Sequence, residues 1–195
     1  MNAPERSPER DDAIAAMLPA VALTGWTVRT LVEQAGPDAD LLFPGGPVDM
    51  IETYIDRADR RMADAVAAAD LTQLRLPARI RQVIAGRLAD ARGEKEAVAR
   101  AFGILALPQN VPVAARTAAR TVDAIWRAAG DESQGLSWYT KRATLAPIYM
   151  ATLLFWLRDG SEDDAETLAF LDRRLAGVAR LGSARRRIRT VFDRT

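Results

Sequence analysis

An all-α fold follows from three observations on this chain of 195 residues. Alanine, leucine and arginine dominate, runs of β-branched residues are absent, and apolar residues recur at three- and four-residue spacing from one end to the other. Apolar residues make up 49% and charged residues 27%, the balance of a globular domain with one sizeable core.

The elements follow in order. Residues 1–9 carry two prolines and charges of both signs, which predicts a disordered start without the apolar run of a secretory signal. The first helix is expected over about residues 10–23, with Ile14, Leu18 and Val21 on one stripe. Thr27 is placed to cap a short helix over about 28–34, which Ala35-Gly36 and Pro37 bring to an end. Residues 38–43 have room for one turn. Pro44-Gly45-Gly46-Pro47 breaks the chain, and Pro47 opens a long helix to about residue 69 with Met50, Ile51, Tyr54 and Ile55 inward. Helices over about 77–92 and 94–107 come next. Pro108 and Pro112 set the start of a helix reaching about residue 129, with Asn110 expected to cap its exposed amides. A loop over 130–137 leads into the most apolar helix, about 138–158, which Pro147 interrupts. Ser161 with Asp164 has the spacing of a capping box and opens a helix to about residue 181. Its stripe of Leu168, Leu171, Leu175 and Val178 fits either a dimer contact or the chain's own core. A short basic helix closes the chain over 184–192.

Composition narrows the chemistry. The 27 basic and 26 acidic residues nearly cancel, but residues 11–60 hold nine acids against three arginines and residues 171–195 hold eight arginines against two aspartates. There is no cysteine and no histidine. Disulfides, thiolate metal sites, His-liganded zinc, Ser-His-Asp and Cys-His nucleophiles and the Glu-x-x-His di-iron pattern are therefore excluded. An enzyme built on carboxylates alone would need paired acids at a convincing spacing, and none are found; the expectation is a protein that is not an enzyme and has no cofactor or metal. The apolar stretch 143–157 is 15 residues long and falls short of the about 20 a bilayer requires.

The first 60 residues resemble a TetR-type regulator: a helix, Gly25-Trp26-Thr27, a helix ending in Ala35-Gly36, then Phe43-Pro44 and a long linking helix. In that family the recognition helix lies between the Ala-Gly and the Phe-Pro. Here only Pro37-Asp38-Ala39-Asp40-Leu41-Leu42 fills that place, too short for such a helix and carrying two acids and no base. Duplex affinity rests on Lys and Arg neutralising phosphates, so no DNA partner is expected. A transcription regulator is the alternative reading.

A more specific resemblance begins at Leu107-Pro108-Gln109-Asn110-Val111-Pro112. It continues through Trp126, Gly130-Asp131, Ser133, Trp138-Tyr139-Thr140-Lys141-Arg142 and Ile148-Tyr149, with the 25–27 and 170–174 segments also fitting. These residues are similar to the lipid-binding accessory family of ubiquinone (coenzyme Q) biosynthesis, the ninth of the coenzyme Q proteins. The resemblance implies a TetR-like helical domain turned to lipid binding. It implies a homodimer that holds isoprenoid quinone intermediates and presents them to the di-iron demethoxyubiquinone hydroxylase without doing chemistry itself. The domain organisation expected is a disordered 1–9, a degenerate helix-turn-helix over 10–46, a lipid-binding bundle over 47–182 and a short basic helix over 183–195.

Candidate sites follow. Lipid-lining candidates are Phe102 and Leu105, then Leu145, Ile148, Tyr149, Leu153 and Trp156 on the most apolar helix. That helix is apolar on nearly every face, which fits plain core as well as a cavity wall. A lipid leaving a bilayer exchanges one apolar environment for another, so its head group must supply the selectivity. Trp138 and Tyr139, adjacent on a helix, point in different directions and cannot both be buried. They are the candidate anchors for the hydroxylase, with Asp123, Ile125 and Arg142 as neighbours. Arg185, Arg186, Arg187, Ile188, Arg189 and Phe192 form a small basic amphipathic helix. At about 1 kcal/mol per arginine beside an anionic leaflet, it implies transient docking of a cytoplasmic protein on the inner membrane. Family members in eukaryotes end in a longer amphipathic helix.

Overall fold

In the computed structural model, residues 3–177 are described. Among them the chain is helical and without strands: α1 (Pro8–Thr24), α2 (Val28–Ala35), α3 (Gly46–Ala69), α4 (Leu76–Asp90), α5 (Lys95–Leu105), α6 (Val111–Ala128), α7 (Gly135–Trp156) and α8, residues 165–177. The helices predicted within the described residues are found, with ends shifted by a few residues; the helix predicted over 184–192 lies outside them. None is long and apolar enough to cross a membrane.

Local chemistry explains most of the ends. Thr27 caps α2 as predicted, its Oγ1 accepting from the Thr30 amide at 3.0 Å. Gly25 and Gly36 close α1 and α2 at φ of 81° and 109°, a region that favours glycine, and their amides donate to Val21 and Val32 carbonyls. Three expectations are corrected. Residues 6–9 are held in place, because Ser7 caps α1 with Pro8 in the first turn and Arg6 donates twice to Asp56, at 2.9 and 2.7 Å. Asn110 does not cap α6; its Nδ2 donates back to the Ile104 carbonyl at 2.8 Å and so closes the end of α5. Asp164 has a φ of 57° and takes no part in a capping box. Asp159 organises that corner, accepting at Oδ1 from Ser161 and at Oδ2 from the amide and hydroxyl of Thr167. Asp164 is drawn off by Arg92 and Lys95.

Two apolar clusters share the long helices. The first joins α1, α2, the amino-terminal half of α3 and α5 around Ile14, Met17, Trp26, Leu31 and Met50. The second joins the rest of α3 with α4, α6, α7 and α8 around Val83, Ile84, Ile125, Trp156 and Leu171. Each such side chain fully removed from water contributes about 1.5–3 kcal/mol. Trp26 also donates its indole N–H to the Ala97 carbonyl at 2.9 Å, tying the loop after α1 to α5. The stripe on α8 faces inward: Leu171 is fully buried and Leu175 packs on the second cluster. Of the two readings left open for that stripe, core packing accounts for Leu171 and Leu175. Val178 and the basic segment lie outside the described residues.

Between α2 and α3 the place of a recognition helix is filled by a single 3₁₀ turn, Ala39–Leu42. The buried Arg10 of α1 holds it. Its guanidinium donates to the Leu42 carbonyl, to Asp49 at 2.5 Å and to Thr53 at 2.8 Å, and lies 4.4 Å from the Phe43 ring centre.

Candidate functional site

A cavity of about 170 Å³ lies where α3, α4, α5, α6 and α7 meet. Small residues make the space. On α6, Ala114, Thr117, Ala118 and Thr121 recur at helical spacing and present little bulk, while Ala91 and Ala101 face them from the neighbouring elements. Of the residues predicted to line it, Phe102, Leu105, Tyr149, Leu153 and Trp156 stand on its wall. Leu145 and Ile148 do not; both are buried in the second cluster. Leu145 sits one turn before the cavity, and Ile148 points about 100° away from Tyr149 around the helix. The α6 stripe was missed. Its signal was present in the sequence as small residues at three- and four-residue spacing, but the prediction looked for large apolar ones.

The wall is mostly apolar and has one polar end. There Arg87 of α4, its side chain 10% exposed, is paired with Asp59 of α3 at 2.8 Å. Thr121 donates to the other oxygen of Asp59 at 2.8 Å, and Tyr54 donates to Glu94 at 2.7 Å. Burial pushes the Asp59 carboxyl up against the pull of Arg87 and Thr121. Burial also pushes the Tyr149 phenol up, with Arg87 pulling the other way. Tyr149 therefore remains a protonated donor at physiological pH.

A second group of predicted residues gathers around the start of α7. Asp131 in the 129–134 loop accepts from Lys141 at 2.5 Å, from Ser133 at 2.6 Å and from Arg142 at 3.3 Å. Burial alone would raise its carboxyl; these donors reverse that and hold it below the ordinary value. Arg142 further donates to Asp123 at 2.6 Å and stacks 4.2 Å from the Trp138 ring centre. The Trp138 ring meets Tyr139 edge-on at 4.8 Å. Tyr139 is 66% exposed and Leu136 is 82% exposed, while Trp138 is half-buried. Two of the predicted partner residues are corrected. Ile125 is fully enclosed in the core and reaches no surface, and the buried Arg142 serves the loop network. Asp123 is mostly covered and neutralised by Arg142 and Arg127. The predicted membrane residues Arg185, Arg186, Arg187, Ile188, Arg189 and Phe192 lie outside the described residues. Among the described residues no cluster of acidic side chains could hold a metal ion.

Residues 111–182, which include all of α6 and α7 and the loop network between them, match the COQ9 family. The bovine mitochondrial ubiquinone biosynthesis protein COQ9 is 37% identical over 94 residues, covering 48% of this chain and 30% of the bovine protein. The human one is 36% identical over 94 residues, with the same coverage. The Schizosaccharomyces pombe protein of the same name is 31% identical over 145 residues, covering 74% of this chain and 57% of its own length. The chain thus spans about a third to somewhat over half the length of these relatives. Among solved structures, a TetR transcriptional regulator from Nitrosomonas europaea superposes with a TM-score of 0.73 at 24% identity, covering 89% of this chain and 99% of the regulator. The chain therefore matches the COQ9 family over residues 111–182 and is built on a helical scaffold of the TetR type.

Proposed function

We propose that this protein is an accessory factor of ubiquinone biosynthesis that binds isoprenoid quinone intermediates and presents them to the di-iron demethoxyubiquinone hydroxylase. The observation that carries this reading is the apolar cavity, walled on two sides by α6 and α7, the helices that lie in the COQ9-matching segment. Enclosed, largely apolar pockets with a few polar groups are the common form of small-molecule sites. The exposed Leu136 and Tyr139, with Trp138 beside them, supply the aromatic and aliphatic anchors that a docking surface for the hydroxylase requires. Binding and presentation need no catalytic residue, and association as a homodimer and peripheral contact with the inner membrane belong to the same reading.

The experiment is mass spectrometry of lipids that co-purify with the protein from its native host without detergent. Isoprenoid quinone precursors at near-stoichiometric amounts are expected; background lipid alone would overturn the reading. The regulator alternative rests on the shared fold, and the 3₁₀ turn at Ala39–Leu42 leaves little to enter a groove. A gel shift with the adjacent promoter region distinguishes the two.

A further inference from the structure

A second space in the fold is larger than the apolar cavity and shares no lining residue with it. It is a cleft of about 480 Å³ between α1, α3, the turn after α4 and the start of α5, roughly three times the ~150 Å³ that holds one benzene ring. Pro19 and Glu96 in its lining are exposed, so it opens to solvent. All of it lies before residue 111, outside the COQ9-matching segment.

One wall comes from α1. Ala15, Leu18 and Ala22 recur at helical spacing and face the cleft half-buried. Pro19 stands between them inside the helix. Having no N–H, it leaves the Ala15 carbonyl without its ordinary helical donor, so this wall offers apolar surface and a backbone acceptor.

The opposite wall carries the charges. Arg61 closes on Asp90 at 2.9 Å and on Glu94 at 3.4 Å, and Glu96 pairs with Arg100 at 3.2 Å. Arg57 is the exception: it makes no hydrogen bond or ion pair among the described residues, yet it is half-buried. An exposed arginine is satisfied by water, whereas a cation partly withdrawn from water gains more from a carboxylate. Arg57, Arg61 and Arg100 together balance Asp90, Glu94 and Glu96. The site as a whole therefore gives a polyanion no advantage, and what it lacks is one carboxylate at Arg57. Glu96 has a single partner and keeps acceptor capacity for a ligand N–H. A plain organic acid would use Arg57 alone. A peptide backbone brings the N–H groups that the Ala15 carbonyl and Glu96 can take, and an extended chain sends alternate side chains to opposite walls.

We propose that this cleft is a docking site for an extended segment of another protein in which one acidic residue is flanked by apolar ones: the carboxylate pairs with Arg57, its apolar neighbours lie on Leu18 and Ala22, and backbone N–H groups donate to the Ala15 carbonyl and to Glu96.

The test begins with labelled, intact protein on an array of blocked pentapeptides that carry Glu, Gln or Lys at the centre and every pair of residues beside it. The strongest signals are expected from a central Glu between Val, Leu or Ile. The best such peptide, tagged and measured by fluorescence anisotropy, should lose about tenfold or more in affinity when its Glu becomes Gln, the range for a charge-assisted hydrogen bond. Arg57→Gln should weaken the Glu peptide by the same factor and make the two peptides bind alike. A Cβ at Gly93, in the cleft lining, would meet no atom within 4 Å, so Gly93→Phe should fill the cleft and abolish binding of both. Both variants should melt as wild type does, since neither removes a bond. An array without preference for Glu over Gln, a preference that survives Arg57→Gln, binding that survives Gly93→Phe, or displacement of the peptide by acetate at equal concentration each overturns the proposal. Lipid recovered from the protein bears on the cavity alone, so the two failures are distinguishable.

Discussion

At the scale of the residue, the surface around the start of α7 separates side chains that touch solvent from side chains that hold the loop. Trp138 is a poor single test of docking, because Arg142 stacks on its ring and any substitution also disturbs Asp123 and Asp131. Tyr139, 66% exposed, is the cleaner probe. Tyr139→Ala should leave the melting temperature nearly unchanged while weakening a complex with the hydroxylase by about 2 kcal/mol, roughly thirtyfold. A pull-down and a thermal melt on one preparation decide it; retention of the hydroxylase at wild-type strength would remove Tyr139 from the interface. Arg142→Met should behave in the opposite way. It leaves Asp123 and Asp131 covered with one donor fewer each, and a loss of about 3 kcal/mol is expected on urea denaturation. The sequence identified this cluster because its residue types are unusual and closely spaced. It could not divide the cluster into exposed and buried members, since Ile125 and Asp123 lie on one helix only two positions apart and only packing tells which of them faces in.

Helices were legible at the scale of the element wherever apolar residues repeat over several turns, as in α3, because that period leaves one consistent face to bury. Their ends were less so. A cap is a choice among several nearby Ser, Asp and Asn residues, and it is settled by which backbone amide each one reaches. Ser161 and Asp164 had the right spacing, but the chain turns through left-handed φ values at Asp163 and Asp164, and Asp159 takes over. Burial alone would raise the Asp159 carboxyl; hydrogen bonds from the hydroxyls and amides of Ser161 and Thr167 outweigh it and hold the group well below the usual carboxylate range. A carboxylate whose folded-state value is depressed adds stability that is complete above its unfolded value, about pH 4, and is lost as pH falls below that. Asp159→Ala should therefore cost about 1–2 kcal/mol near neutral pH. The difference between variant and wild type should shrink steadily from about pH 4 downward. Denaturation at a series of pH values measures this, and a difference independent of pH would show that the charge of Asp159 is not what matters.

For the whole molecule, the sequence conveyed the order of the helices among the described residues but not the void between them. Large apolar side chains announce a core; a cavity is made by what is missing, here the bulk absent at Ala114, Ala118 and Ala101. It also left open which face of α8 looks inward. With Leu171 fully buried, Leu171→Ala should lower stability by about 3 kcal/mol and leave the association state in sedimentation unchanged; a shift from dimer to monomer would return that stripe to the interface. The two apolar clusters meet along α3, which is 24 residues and ~36 Å long, and along α5, whose Ala97 packs towards the amino-terminal helices, whose Phe102 lines the cavity and whose Ala101 and Leu105 do both. A division at residue 46, natural on sequence grounds, would strip α1 and α2 from Met50, Ile51 and Ala97 and leave that face to water. The consequence is evolutionary. Under the proposed function, any lineage that depends on the cavity must keep the helices that brace α5 from behind, so selection on the cavity alone would preserve the helical outline shared with the TetR regulator, with a single turn at Ala39–Leu42.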